Sequence, residues 1–306
     1  DKDSLLYVSD GMSNVLNLND CHPSRAKIES LGPIDLLLLQ ASSALWYPCV
    51  YDYDEEKKKE LCRSKKKNVL NRAVNYIRWT KAECSIPNAG PIVFLEEQFR
   101  FWDETRREDF NPFPLNDESA DFIEKNGFRS ELLIPGDMVR VSAGELSFDK
   151  NEEKSKEIYS DVNTYIEKYR KSRKIEPSAP KNSEDYADIS TRLEKQFMRL
   201  HHASQIFKQK LNYAFKISFG SAQKVVDFRK PRKECYGDYV PGTKCRYEFV
   251  FDPDILRDLL SKKCIDFDDY FLSLKFEARR NPDEYDDILF SLFRNFDVKR
   301  LRKAEE

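Results

Sequence analysis

The side chains best suited to chemistry lie near the start of the 306-residue chain, in Asn17-Leu18-Asn19-Asp20-Cys21-His22. A strand that ends in Asp sets a carboxylate at the carboxyl edge of a sheet, where the ligands and metals of α/β proteins gather. Asn17 and Asn19 share one face by the two-residue period of a strand, and Asp20 emerges as the strand ends. The same residues also suit a plainer role, with Asp20 closing the turn after a buried strand. His22, directly before Pro23, reads as a loop histidine. Further along, Ser42-Ser43-Ala44-Leu45-Trp46-Tyr47-Pro48 places hydroxyls beside two aromatic rings. Such a pair suits stacking on a base or sugar ring, or plugging the layer between a sheet and a helix. Ser42 has no evident His and Asp partners in the sequence, which disfavours a serine-nucleophile triad.

The remaining reactive residue types narrow the choices. There are only three histidines, His22, His201 and His202, too few for a self-contained multi-histidine metal centre. His201 and His202 diverge by about 100° on a predicted helix, so they cannot face one metal together. Seven cysteines, an odd number without a CxxC pair, support neither a disulfide framework nor a structural zinc site, and reduced thiols in a cytoplasm are the expectation. Lys57–Lys59 and Lys65–Lys67 read as a solvated helix face. Arg279-Arg280 and Arg229-Lys230-Pro231-Arg232 are suited to a phosphate or carboxylate, or to nearby Asp and Glu.

The elements that must position these residues alternate. Leu5–Val8 and Asn14–Asn19 predict two short strands joined through Asp10-Gly11. Ile34–Leu39, introduced by Gly32-Pro33, predicts a strand buried on both faces. Asp54–Trp79 carries an apolar helical stripe through Leu61, Val69, Leu70, Ala73, Val74 and Ile77. A Pro-rich turn at Ile86–Pro91 leads to a predicted strand at Ile92–Leu95, and Gly136-Asp137 predicts a hairpin. The charged segment Asp149–Lys174 predicts one helix, and the Pro- and Ser-bearing Ile175–Asp188 a linker. Beyond it, Thr191–Ala214, Pro253–Leu260, Phe267–Phe276 and Glu284–Phe296 predict helices, with Lys224–Phe228 and Cys245–Phe251 as strands. The expected organisation is α/β over residues 1–148, a charged helix and linker over 149–188, and a smaller α+β domain over 189–306.

Composition bounds the partners. The 52 Lys and Arg against 54 Asp and Glu give a net charge of -2, without the basic excess of a nucleic-acid binder. No apolar run approaches the ~18 residues that span a bilayer. The first residues, Asp1-Lys2-Asp3, include no initiator Met or signal-peptide core, and the chain is expected to begin within a longer gene product.

Several segments in order resemble the metallo-β-lactamase superfamily, in particular its CMP-N-acetylneuraminate hydroxylase-like branch. They are Val15-Leu16-Asn17-Leu18-Asn19-Asp20-Cys21, Leu70-Asn71-Arg72-Ala73, Ile86-Pro87-Asn88-Ala89-Gly90-Pro91, Asn111-Pro112-Phe113-Pro114, and Phe267-Asp268-Asp269-Tyr270 through Arg280-Asn281-Pro282-Asp283-Glu284-Tyr285. The resemblance implies the second half of an αβ/βα sandwich plus a C-terminal extension. The superfamily's H-x-H-x-D-H loop is absent, and Ala89 stands where lactonase-like branches carry a histidine. Asp20 is then the metal ligand this chain contributes, to iron or zinc, with Ser42, Trp46, Tyr47 and Asn88 lining a substrate pocket. The implied activity is a metal-dependent oxygenase, hydroxylase-like, acting on a small molecule such as a nucleotide sugar. The implied partners are the N-terminal half of the domain and a Rieske 2Fe-2S cluster carried on a segment or chain not present here. Two alternatives stand beside it: a metallo-hydrolase of esters or phosphodiesters, and a non-catalytic module that binds a ligand or partner chain.

Overall fold

A computed structural model describes residues 4–42, 44–88, 90–173, 186–262 and 266–296. The chain forms two compact units. The first comprises 1–44 and 55–177, and the second comprises 45–54 and 178–306. Most of the predicted linker, together with Ala89, Cys264 and Asp1–Asp3, falls outside the described residues.

In the first unit the strands are β1 (Leu6–Ser9), β2 (Asn14–Asn17), β3 (Leu36–Gln40), β4 (Cys84–Asn88), β5 (Met138–Ser142) and β6 (Glu145–Asp149). Its helices are α1 (Arg25–Glu29), α2 (Glu55–Thr80), α3 (Arg100–Glu104), α4 (Asn116–Lys125), α5 (Glu152–Ser160) and α6 (Val162–Ser172). β1 to β4 form one sheet in that order, β1 antiparallel to β2 and the next pairs parallel. β3 is buried on both faces because its leucines alternate between two cores. Leu37 and Leu39 join Leu16, Ile28, Ala73, Val74 and Ile77 beneath the helices. Leu36 joins Cys84 and Ile86 on the other face, where Leu38 and Val139, Val141, Leu146 and Phe148 of the β5–β6 hairpin pack.

Three local expectations are corrected. Ile92–Leu95 is not a strand; the fourth strand lies earlier, at Cys84–Asn88, with Pro87 opposite Leu39. Proline is tolerated there because β4 is an edge strand. The backbone of 92–95 is satisfied by side chains instead. Arg106 donates to the Ile92 carbonyl, Arg170 to those of Phe94 (2.8 Å) and Leu95 (3.3 Å), and the Asp103 carboxylate accepts the Phe94 N–H at 3.1 Å. The hairpin turns at Ala143-Gly144, whose φ values of 50° and 80° fit a primed turn, rather than at Gly136-Asp137. The helix expected over 149–174 is broken at Asp161, whose carboxylate accepts the Thr164 N–H and starts α6 afresh.

The second unit holds α7 (Ala187–Ala203), α8 (Gln205–Lys210), β7 (Ala214–Phe219), β8 (Ala222–Val226), β9 (Tyr236–Asp238), β10 (Cys245–Phe251), α9 (Pro253–Ser261), α10 (Phe267–Leu272), β11 (Phe276–Arg280) and α11 (Asp287–Arg294). Ser204 caps α8 and divides the helix expected over 191–214. The strands pair in the order β11-β10-β7-β8-β9, with only β10 and β7 parallel. The core is aromatic: Phe249 and Phe251 stack at 5.8 Å, and Phe293 meets Phe267 at 5.0 Å and Phe249 at 5.2 Å. The architecture is a mixture of helices and sheets in both units. The αβ/βα sandwich is not what the sheets form, since the first unit stacks one four-stranded sheet against a two-stranded hairpin.

Leu45–Asp54 belongs to the second unit. It runs beside β11, where the Val50 carbonyl accepts the Ala278 N–H at 2.9 Å and the Ala278 carbonyl accepts the Asp52 N–H at 3.0 Å. Trp46 packs on Phe290 (4.6 Å), Phe271 (5.6 Å) and Phe276 (6.2 Å). Trp46→Ala is expected to destabilise the second unit by about 2–4 kcal/mol, the range for truncating a large core aromatic that is partly exposed. Urea denaturation together with hydrogen exchange at β10 and β11 checks this; unchanged exchange there would show that Trp46 is a surface ring.

Candidate functional site

The polar groups of the first unit converge where β2, β3 and β4 end. β2 closes in a turn in which the Asn17 side chain accepts the Asn19 N–H (2.9 Å) and the Leu18 carbonyl accepts the Cys21 N–H (2.9 Å). Asn19 takes the left-handed φ of 47°, which asparagine tolerates better than most residues. Asp20 is thereby held at the surface, where it accepts a 2.6 Å hydrogen bond from Gln40, the last residue of β3. Gln40 lies in register with Asn88, the last residue of β4. Two residues beyond β3, Ser42 is 1% exposed.

This edge has unmet hydrogen-bonding capacity. Ser42 Oγ and Asn88 Oδ1 are buried without a partner among the described residues. A buried hydroxyl or amide left unpaired costs about 1–3 kcal/mol, so such groups call for an explanation. Gly90 closes over Ser42, where a Cβ would lie 2.6 Å from the Ser42 Cβ. α4 reaches this edge through Ser119, whose hydroxyl donates to the Ala41 carbonyl at 3.4 Å. The unmet capacity of this edge thus lies in two buried oxygens, of Asn88 and Ser42, while the Asp20 carboxylate is exposed. Among the described residues no three His, Cys, Asp or Glu side chains gather to hold a metal ion.

Of the five residues singled out in the sequence, Asp20, Ser42 and Asn88 lie at or just past the ends of β2, β3 and β4. Trp46 and Tyr47 belong to the second unit. There Tyr47 lies 5.2 Å from Tyr51, and the Arg280 guanidinium stacks 4.6 Å from Tyr47 and 4.8 Å from Tyr51. Arg280 pairs with Asp283 at 2.8 Å, and the same Asp283 oxygen accepts the Tyr53 hydroxyl at 2.5 Å. Burial first, then the Asp283 hydrogen bond, pushes the Tyr53 phenol above its ordinary range. Gln40 had no sequence signal of its own, whereas the pairing of Arg280 with Asp283 is the alternative that the sequence offered for Arg279-Arg280. Arg279 pairs with Asp52 (2.5 Å) and Arg229 with Asp227 (2.7 Å). His201 is buried against Phe228 with its Nε2 3.0 Å from the Lys230 carbonyl oxygen, and His202 is exposed.

A second buried polar group is structural. Asp103 bonds Arg106 (2.5 Å) and Arg170 (3.0 Å), and burial pushes its carboxyl up while the paired guanidinium opposes the shift. It fixes the 92–95 segment, as described above.

Residues 189–306 match the family model of an Rv3818-like, SCP2-like domain. A protein of Mycobacterium tuberculosis strain H37Rv, provisionally named Rieske 2Fe-2S iron-sulfur protein Rv3818, is 27% identical over 314 residues, 99% of this chain and 60% of its own length. A Mycolicibacterium smegmatis protein with the same kind of provisional name is 34% identical over 137 residues, 44% of this chain and 26% of its own. The chain thus spans about three fifths of the first relative's length. These matches correct the metallo-β-lactamase resemblance, and with it the oxygenase and hydrolase of that superfamily. Its anchors were short, and a strand ending in Asp or a Pro-Gly turn recurs wherever a parallel strand meets a loop. No described helix is long and apolar enough to cross a membrane.

Two outcomes follow from the geometry. Ser42→Ala is expected to raise stability by about 1 kcal/mol, because it removes an unpaired buried hydroxyl, whereas Gly90→Ala is expected to lower it by about 1–3 kcal/mol through overpacking. Urea midpoints at constant m-value read both, and a loss with Ser42→Ala would show that the hydroxyl is bonded in solution. The thiols of Cys84 and Cys235 are pushed up to about 11 by burial, so both are protonated at pH 8. Iodoacetamide at that pH should leave them unlabelled in the native protein and label them on unfolding, with mass spectrometry as the readout.

Proposed function

We propose that this chain is the ligand-binding portion of a Rieske-type iron–sulfur protein, with its first unit binding a small polar molecule at the carboxyl edge of β2, β3 and β4. The observation that carries the reading is the pair of buried, unpartnered oxygens, the Ser42 hydroxyl and the Asn88 amide carbonyl, at the same strand ends as the exposed carboxylate of Asp20, bonded to Gln40. The Asp20 carboxylate and the Asn88 amide oxygen favour a ligand that brings hydroxyl or amide donors. Support for the cofactor comes from the names of the relatives, which belong to those proteins.

A Rieske centre takes two cysteines and two histidines. The described residues do not fit it: no three His, Cys, Asp or Glu side chains come together among them. The cluster is accordingly assigned to polypeptide beyond this chain. In this proposal the first unit binds the ligand, in keeping with the sequence's alternative of a module that binds a ligand or partner chain.

Electron paramagnetic resonance of the reduced full-length gene product is expected to show a 2Fe-2S signal. That signal and the iron content should be unchanged by Cys21→Ser, His22→Ala and His201→Ala. A missing signal would remove the cofactor from the proposal, and a signal lost with any of those substitutions would place the cluster's ligands in this chain.

A further inference from the structure

The larger sheets of the two units have four edges, and three of them are managed. At β4 the Ser85 N–H donates to the Arg129 carbonyl (3.1 Å) and the Glu131 N–H to the Ser85 carbonyl (2.9 Å), so residues 129–131 cover that edge. At β11 the segment around Tyr51 does the same. β9 is three residues long and ends in Asp238, paired with Lys224 at 2.5 Å. Short, charged or covered edges are how proteins avoid unwanted strand pairing.

β1 has none of these protections. All four residues, Leu6-Tyr7-Val8-Ser9, are exposed, and no charge interrupts them. Leu6 is 61%, Val8 53% and the neighbouring Met12 70% exposed. One side of β1 is bonded to β2, and its other side makes no backbone bond among the described residues. An open apolar edge of this kind is a template for one more strand.

We infer that β1 receives an extended apolar strand from the polypeptide by which the longer relatives exceed this chain, so that the sheet of the first unit gains a fifth strand. The M. tuberculosis relative has two fifths of its length outside the match, ample to supply one. Four residues and one methionine bury far less than the roughly 1,000 Å² that a stable interface between separate molecules needs. A strand on the same chain is not bound by that requirement, because closing a loop costs much less entropy than bringing two molecules together. A second copy pairing β1 to β1 is therefore disfavoured. The inference is independent of the cofactor reading, since strand pairing is read whether or not iron is present.

Hydrogen exchange on the full-length gene product tests it. The amides of Leu6–Ser9 are expected to exchange at least tenfold more slowly than an unprotected strand edge, at every protein concentration. The double variant Leu6→Lys, Val8→Lys should restore fast exchange there and expose a second, distant segment to limited proteolysis. Fast exchange at Leu6–Ser9 in the unaltered full-length protein would overturn the inference. So would protection that grows with protein concentration, which would identify a second copy as the occupant.

Discussion

The double burial of β3 is the constraint on which the first unit depends. Four consecutive leucines at a strand's two-residue period can be hidden only between two apolar layers, so the sheet must carry helices on one face and another cover on the opposite one. The helices α1 and α2 flank β3 in the chain and supply the first cover, as short parallel connections require. The β5–β6 hairpin supplies the second. Once β3 is fixed in the middle, the residues just past its carboxyl end, Gln40 and Ser42, are placed without freedom at the edge of the sheet.

Much of this was legible in the sequence. The apolar run at Ile34–Leu39, the helical stripe beginning near Asp54 and the strand Cys245–Phe251 all carry their period over enough residues to be read directly. Failures came where a single polar side chain overrides the period. Asp161 and Ser204 each restart a helix inside a stripe that reads as continuous, because a cap satisfies backbone donors that the helix would otherwise share. Ile92–Leu95 looks like a strand by composition, yet its carbonyls are met by Arg106 and Arg170, a substitute for a ladder that no local pattern announces.

The candidate site divides along the same line. Asp20 was legible as a strand-end carboxylate, and Ser42 by its place after a buried strand. The unmet bonding of Ser42 and Asn88 was not, since it is a property of what fails to approach them. Tyr53 and Asp283 meet across 230 positions, a separation at which residue spacing carries no information. The misleading part was the resemblance built from short motifs, which shared order without sharing the longer pattern that a family model reads.

The excursion of Leu45–Asp54 has a bearing on how the molecule is made. The second unit is assembled from two stretches of chain separated by more than a hundred residues. On a ribosome adding about 5–20 residues per second, Trp46 emerges roughly 10–45 s before β11 exists to receive it. During that interval its indole lacks Phe271, Phe276 and Phe290, the rings on which it packs in the folded unit. Timing of translation, as well as contact energy, thus enters the yield of native protein.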